Sequence, residues 1–124
     1  MTSQADPRDA LLAQRQAALA RIGALQREFA DIVAAAAAAN GDDEHDPEGA
    51  TIAFERQHVA ALLSQAREYL GQIDTALLRV DAGSYGSCAR CGAPIPAERL
   101  TARPAAVTCV GCAARGARST HGTR

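Results

Sequence analysis

The sequence is poor in rings: it has no Trp, and aromatic residues make up 3% of the chain. Its apolar content is instead dominated by Ala and Leu, a mix that suits long helices better than a broad sandwich core. A single large metabolite pocket is therefore not expected. Lysine is also absent, so all 13 basic residues are Arg. The longest apolar stretch, Ile32 to Ala39, falls far short of the roughly 20 residues that span a bilayer. No membrane partner is expected. Residues Met1 to Arg8 lack a basic start followed by an apolar run, which argues against a secretory signal. The reading is then a cytoplasmic chain in a reducing compartment, where cysteines serve as metal ligands more readily than as disulfides.

The formal net charge of -1 gives the whole molecule no strong pull on nucleic acid. Its distribution says more. The stretch Asp42 to Glu48 reads DDEHDPE, whereas from Cys88 to Arg124 the only acid is Glu98, against Arg90, Arg99, Arg103, Arg115, Arg118 and Arg124. One segment is negative and another positive.

Two long helices are expected. Asp6-Pro7 suits an N-cap followed by Pro at the first helical position. From Asp9 to Ala39 no Pro interrupts, and apolar residues recur at Leu11, Ala18, Ile22, Leu25, Phe29, Ile32, Ala36 and Ala39. This is a heptad-like seam in which Arg15 is the weak position. Such a helix is about 45 Å long. Asn40-Gly41 is a stop, since both residues tolerate the left-handed conformation. A second seam, Ile52, Val59, Leu62, Ala66, Tyr69, Ile73, Ala76 and Val80, is broadened by Leu63, Leu70 and Leu77. It predicts a helix from about Pro47 or Thr51 to Val80, ended by Asp81-Ala82-Gly83-Ser84. Two helices of near-equal length joined by a short loop pack as an antiparallel hairpin.

The most specific signal is Cys88-Ala-Arg-Cys91-Gly92 followed by Cys109-Val-Gly-Cys112. This is the spacing of a four-thiolate zinc site. Two residues between paired cysteines let both sulfurs reach one tetrahedral ion at about 2.3 Å. Gly92 and Gly111 are expected to make tight turns that aim backbone N–H groups at the sulfurs. Four protein thiolates leave no open coordination position, so one structural Zn²⁺ is expected and no catalytic residue is assigned. Arg90, Arg103 and Arg115 are candidate compensators of the thiolate charge. Pro94 and Pro96 should stiffen a strand-like or loop segment between the pairs, and a short helix after Cys109 should end near Arg118.

At the expected hairpin turn stand Asp42, Asp43, Glu44, Asp46 and Glu48. Asp46 before Pro47 is a reasonable N-cap and Glu48 suits a helix N-terminus. Carboxylates this crowded repel one another, which favours a tip that meets a cation or a basic protein surface. The spacing does not fit an EF-hand loop.

The segment Ile73 to Cys112 carries Y-G-x-C-x-x-C-G, then I-P-x-x-R-L-x-A-R-P, then C-x-x-C. With the helical hairpin and acidic tip, this resembles the DksA/TraR family over roughly Asp9 to Arg118. The resemblance implies a mainly α fold: a long antiparallel coiled-coil hairpin (residues 9–82, tip at 41–49), a small C-terminal four-cysteine zinc-finger module with a short terminal helix (83–118), and flexible ends (1–8 and 119–124). It also implies a transcription regulator without enzymatic turnover. Its globular end would bind the rim of RNA polymerase, with Arg90, Arg99, Arg103 and Arg115 as candidate contacts. Its tip, led by Asp43 and Asp46, would enter the secondary channel to modulate initiation. The family tip reads Asp-x-x-Asp-x-Ala; here Glu48 stands where Ala is expected. Family positions that help hold the alarmone ppGpp fall near Gln65, Gln72 and Ala113, none cationic, so ppGpp synergy is expected to be weak or absent. Direct sequence-specific DNA binding is not expected. The alternative is a zinc-ribbon nucleic-acid-binding protein whose coiled coil is a dimerisation arm. A thiol oxidoreductase is disfavoured by the closed metal site.

Overall fold

The structure, a computed structural model, describes residues 6–39 and 47–122. It holds four helices in chain order: α1 (Pro7–Ala39), α2 (Pro47–Ala82), α3 (Ala97–Ala102) and α4 (Val110–Gly122). No strand forms among the described residues beyond a single antiparallel bridge between Ser87 and Pro94. The Asp42, Asp43, Glu44 and Asp46 side chains expected at the tip lie outside the described residues, as does the Asn40-Gly41 stop. Glu48 belongs to the first turn of α2.

Helix α1 begins as its sequence suggests. The Asp6 carboxylate accepts the Arg8 backbone N–H at 3.0 Å, satisfying one of the donors that a helix start leaves free. Pro7 takes the first helical position, where its missing N–H costs nothing.

By contact the chain divides into two compact units, one of Met1–Arg15 with Gly71–Arg124 and one of Gln16–Leu70. In the second unit the seams of α1 and α2 meet. Ile22, Leu25, Val59 and Ala66 form a buried cluster against which Phe29, Ile32, Leu62, Leu63 and Leu70 pack. Buried Ala18 and Ala66 keep the facing surfaces slender. In the first unit Leu11 and Ile73 have no exposed surface, and Ala76 has none. Arg15 interrupts the seam for a visible reason: its Nε donates to the Asp74 carboxylate at 2.8 Å. Arg8 pairs with Asp81 in the same way. The partners climb along α1 as they descend along α2, so these helix segments run antiparallel. Both pairs are well exposed and fix register more than they add stability.

Two departures from expectation concern the C-terminal part. The segment between the cysteine pairs is not simply strand or loop, since Ala97–Ala102 forms α3. Pro96 sits at its N-cap, outside the helix, where proline does no harm. Glu98 in the first turn favours the helix dipole, and Pro104 follows soon after its end. Helix α4 also continues to Gly122, past the end expected near Arg118.

Candidate metal centre

Helix α2 stops where Gly83 turns to a φ of +81°, a conformation that glycine adopts without a Cβ penalty. The chain then doubles back. Ser84 and Tyr85 N–H groups both donate to the Arg79 carbonyl, at 2.9 and 3.1 Å. Residues 86–88 run beside 93–95: Cys88 N–H donates to Ala93 O at 2.7 Å and Ile95 N–H to Gly86 O at 2.7 Å. Gly92, with φ +80°, closes this knuckle as anticipated.

Gly111 does not play the matching part. It lies in the first turn of α4 without a positive φ. The free N–H groups of the helix start act in its place, and the Cys112 N–H reaches the Cys109 sulfur. A helix N-terminus supplies aimed donors wherever negative charge approaches it, so no special turn is required.

These elements bring the four predicted sulfurs, of Cys88, Cys91, Cys109 and Cys112, within 4.8 Å of one another. Sulfurs bound at about 2.3 Å around one tetrahedral zinc stand about 3.8 Å apart. The Cys91 and Cys109 sulfurs are 3.9 Å apart, so the donor set fits such an ion. Cys88 and Cys112 are buried with Ile95, and Leu100 and Cys109 pack against them. The module's small core is therefore partly made of its own candidate ligands.

The electrostatics favour a cation. The Cys88 thiol is brought down to about 5, first by the N–H of Cys91, then by those of Cys109 and Arg90. The Arg90 and Cys91 N–H groups lie 3.4 and 3.5 Å from its sulfur. The Cys109 thiol is lowered by the Cys112 N–H. The Cys112 thiol moves the other way, pushed up to about 12 by burial and by the crowding of the other three sulfurs. Thiolates this close repel one another, and a divalent ion offsets that repulsion and binds its ligands deprotonated.

The arginines singled out from the sequence divide among several roles. Arg115 Nη2 donates to the Cys112 sulfur at 3.2 Å, the compensating contact expected of it. Arg90 is exposed, and its guanidinium lies over α4, 2.8 Å from where a Cβ on Gly116 would stand. Arg103 is exposed at the C-cap of α3. Arg99, by contrast, is half-buried and occupied, with Nε donating to Thr108 O at 2.9 Å. Sequence reasoning passed over Arg79 and Tyr85. Arg79 Nη2 donates to Ser84 O at 3.0 Å and also to Ser87 O. Tyr85 OH donates to Pro104 O at 2.8 Å, and burial raises the Tyr85 pKa. The Y-G-x-C signature held the clue for Tyr85, whereas no pattern marked Arg79.

Two long packed helices and a compact cluster of four cysteines define a mainly helical protein of the zinc-finger class. Residues 83–115 match the prokaryotic dksA/traR C4-type zinc finger. The chain resembles the solved structure of transcription factor DksA2 from Pseudomonas aeruginosa, with TM-score 0.73 and 32% identity over 94% of this chain and 84% of that one. Among curated proteins, it is 41% identical over 66 residues to Bacillus subtilis YteA, covering 53% of this chain and 28% of YteA. It is 50% identical over 44 residues to the RNA polymerase-binding transcription factor DksA of Caulobacter vibrioides, covering 36% of this chain and 31% of that protein. These matched parts span about a third of the curated relatives' length. The chain belongs to the DksA/TraR family, and its cysteine cluster is a zinc-binding group. No helix among the described residues is long and apolar enough to cross a membrane.

Proposed function

We propose that this chain is a transcription regulator that binds RNA polymerase and catalyses no reaction of its own. The observation that carries the proposal is the likeness to DksA2, a transcription factor, along 94% of this chain. The role of the Caulobacter relative, RNA polymerase binding, supplies the partner. In this reading Cys88, Cys91, Cys109 and Cys112 hold one structural Zn²⁺, which supplies only a fixed tetrahedral crosslink. The module spanning 83–118 rests on the polymerase rim, with the exposed Arg90, Arg103 and Arg115 as candidate contacts. Arg99 is the fourth candidate, half-buried and with its Nε donating to Thr108 O, as Arg115 Nη2 donates to the Cys112 sulfur.

The hairpin of residues 9–82 then carries its tip, at 41–49, into the secondary channel. Asp43 and Asp46 act there, with Asp42, Glu44 and Glu48 adding negative potential. Gln65, Gln72 and Ala113 are exposed and uncharged, which supports a response to ppGpp that is weak or absent, because phosphate groups are held by cations or aimed N–H donors. The reading places the protein in the cytoplasm and needs no direct contact with DNA.

The tip is tested by Asp43→Asn with Asp46→Asn in a promoter assay with purified polymerase. Loss of the effect on initiation, with polymerase affinity within about twofold of the unaltered chain, is the expected result. An undiminished effect on initiation would remove the tip from the account.

A further inference from the structure

We propose that Arg79 and Arg99 are a matched pair of positioning residues for the metal centre, each pinning the backbone carbonyl directly ahead of a cysteine pair. The inference rests on the reading of the four cysteines as a zinc site. Arg79, in the last turn of α2, donates to the carbonyl of Ser87, the residue before Cys88. Arg99, in α3, donates to the carbonyl of Thr108, the residue before Cys109, at 2.9 Å. The two knuckles differ in build, one a glycine turn and the other a helix start, yet both receive a guanidinium at the same place relative to the first cysteine.

The placement has a physical consequence. A peptide group is rigid and planar, so fixing the carbonyl of the preceding residue fixes the N–H and the Cα of the cysteine, the base from which its side chain reaches the metal. At Cys88 the effect is complete, because the opposite edge of that peptide is also held, by the Cys88 N–H to Ala93 O bond of 2.7 Å. At the other knuckle, the Ala89 N–H to Val107 O bond of 2.7 Å links the segment that Arg99 holds to the first cysteine pair. Arg79 is itself anchored by the two backbone N–H groups on its carbonyl, so α2 bears directly on the first knuckle. Both guanidinium groups also place permanent positive charge near a centre that carries a formal charge of about -2 with four thiolates and Zn²⁺. Arg115 touches a sulfur directly; Arg79 and Arg99 act through the backbone.

Partners that orient metal ligands without touching the metal alter affinity by about 10- to 100-fold, which sets the test. The full chain and its Arg79→Gln, Arg79→Lys, Arg99→Gln and Arg99→Lys variants are loaded with Co²⁺ for absorption spectra, then with Zn²⁺ for competition against a chromophoric chelator. Arg56→Gln, at an exposed position of α2, is the control. The expected result is an unchanged tetrathiolate cobalt spectrum throughout, with zinc affinity lower by about 10- to 100-fold in each Gln variant. The Lys variants, which keep the charge and a donor, should fall between. Zinc affinity equal to that of the unaltered chain in both Gln variants would overturn the inference. So would an equal loss in Arg56→Gln, or loss of the tetrathiolate spectrum itself, which would mark a role in folding alone. Absence of that spectrum from the unaltered chain would instead defeat the zinc reading beneath it.

Discussion

Cys112→Ser is expected to release the metal and melt the C-terminal module while leaving the paired helices in place. Cys112 is 2% exposed and forms the module's small core with Cys88 and Ile95. Helix α3 contributes no fully buried residue to it. A module this small is held by its metal, and structural zinc in finger peptides contributes about 10–16 kcal/mol of apparent binding energy at neutral pH. Hydrogen exchange in residues 83–116 should therefore accelerate strongly in the variant. Chelation should do the same to the unaltered chain and add nothing to the variant. Amides around Ile22, Leu25, Val59 and Ala66, buried on their own account, should keep their protection. Because binding requires thiolates and the Cys112 thiol stands at about 12 without a cation, loading releases protons and retention weakens as the pH falls. Retained metal and unchanged exchange in Cys112→Ser would contradict the assignment.

Ile73→Ala should lower the stability of the paired helices by about 2–5 kcal/mol, the cost of emptying a closed core site. Ile73 has no exposed surface and lies in the same unit as the equally buried Leu11 and Ala76. Ala76 has no side chain long enough to move into the gap. Leu78→Ala, five residues along the same helix, is the contrast: Leu78 is 67% exposed, and its loss should change stability by no more than about 0.5 kcal/mol. Urea unfolding followed by circular dichroism reads both. Equal effects would mean that the seam is not the core.

The seam was legible because helix packing leaves a periodic trace. Of the seam positions read from spacing, Leu11, Ala18, Ile22, Leu25, Val59, Ala66, Ile73 and Ala76 are buried, whereas Phe29, Ile32, Ala36, Ile52, Leu62, Tyr69 and Val80 are only half-buried. Arg15, the misfit in that spacing, is explained by Asp74, a partner 59 residues away that no local pattern reveals. The cysteines were equally legible, since two C-x-x-C pairs at this separation allow few chemistries. Helix α3 was hidden by its flanking prolines, which read as breakers although one of them begins the helix from outside. Gly111 resembles a turn residue in the sequence, but the helix that starts beside it supplies the donors. Arg79 and Arg99 left no trace because their partners are backbone carbonyls, which every residue offers. The acidic segment Asp42 to Asp46 is known from its sequence alone.

The central claim is that a metal-fixed module holds this chain on RNA polymerase. It is tested most directly by titrating core polymerase into the labelled, zinc-loaded full chain and repeating the titration after chelation. The predicted result is saturable binding, displaced by a factor that occupies the secondary channel and weakened at least about tenfold once zinc is removed. No binding by the zinc-loaded chain, or binding indifferent to both zinc and the competitor, would contradict it.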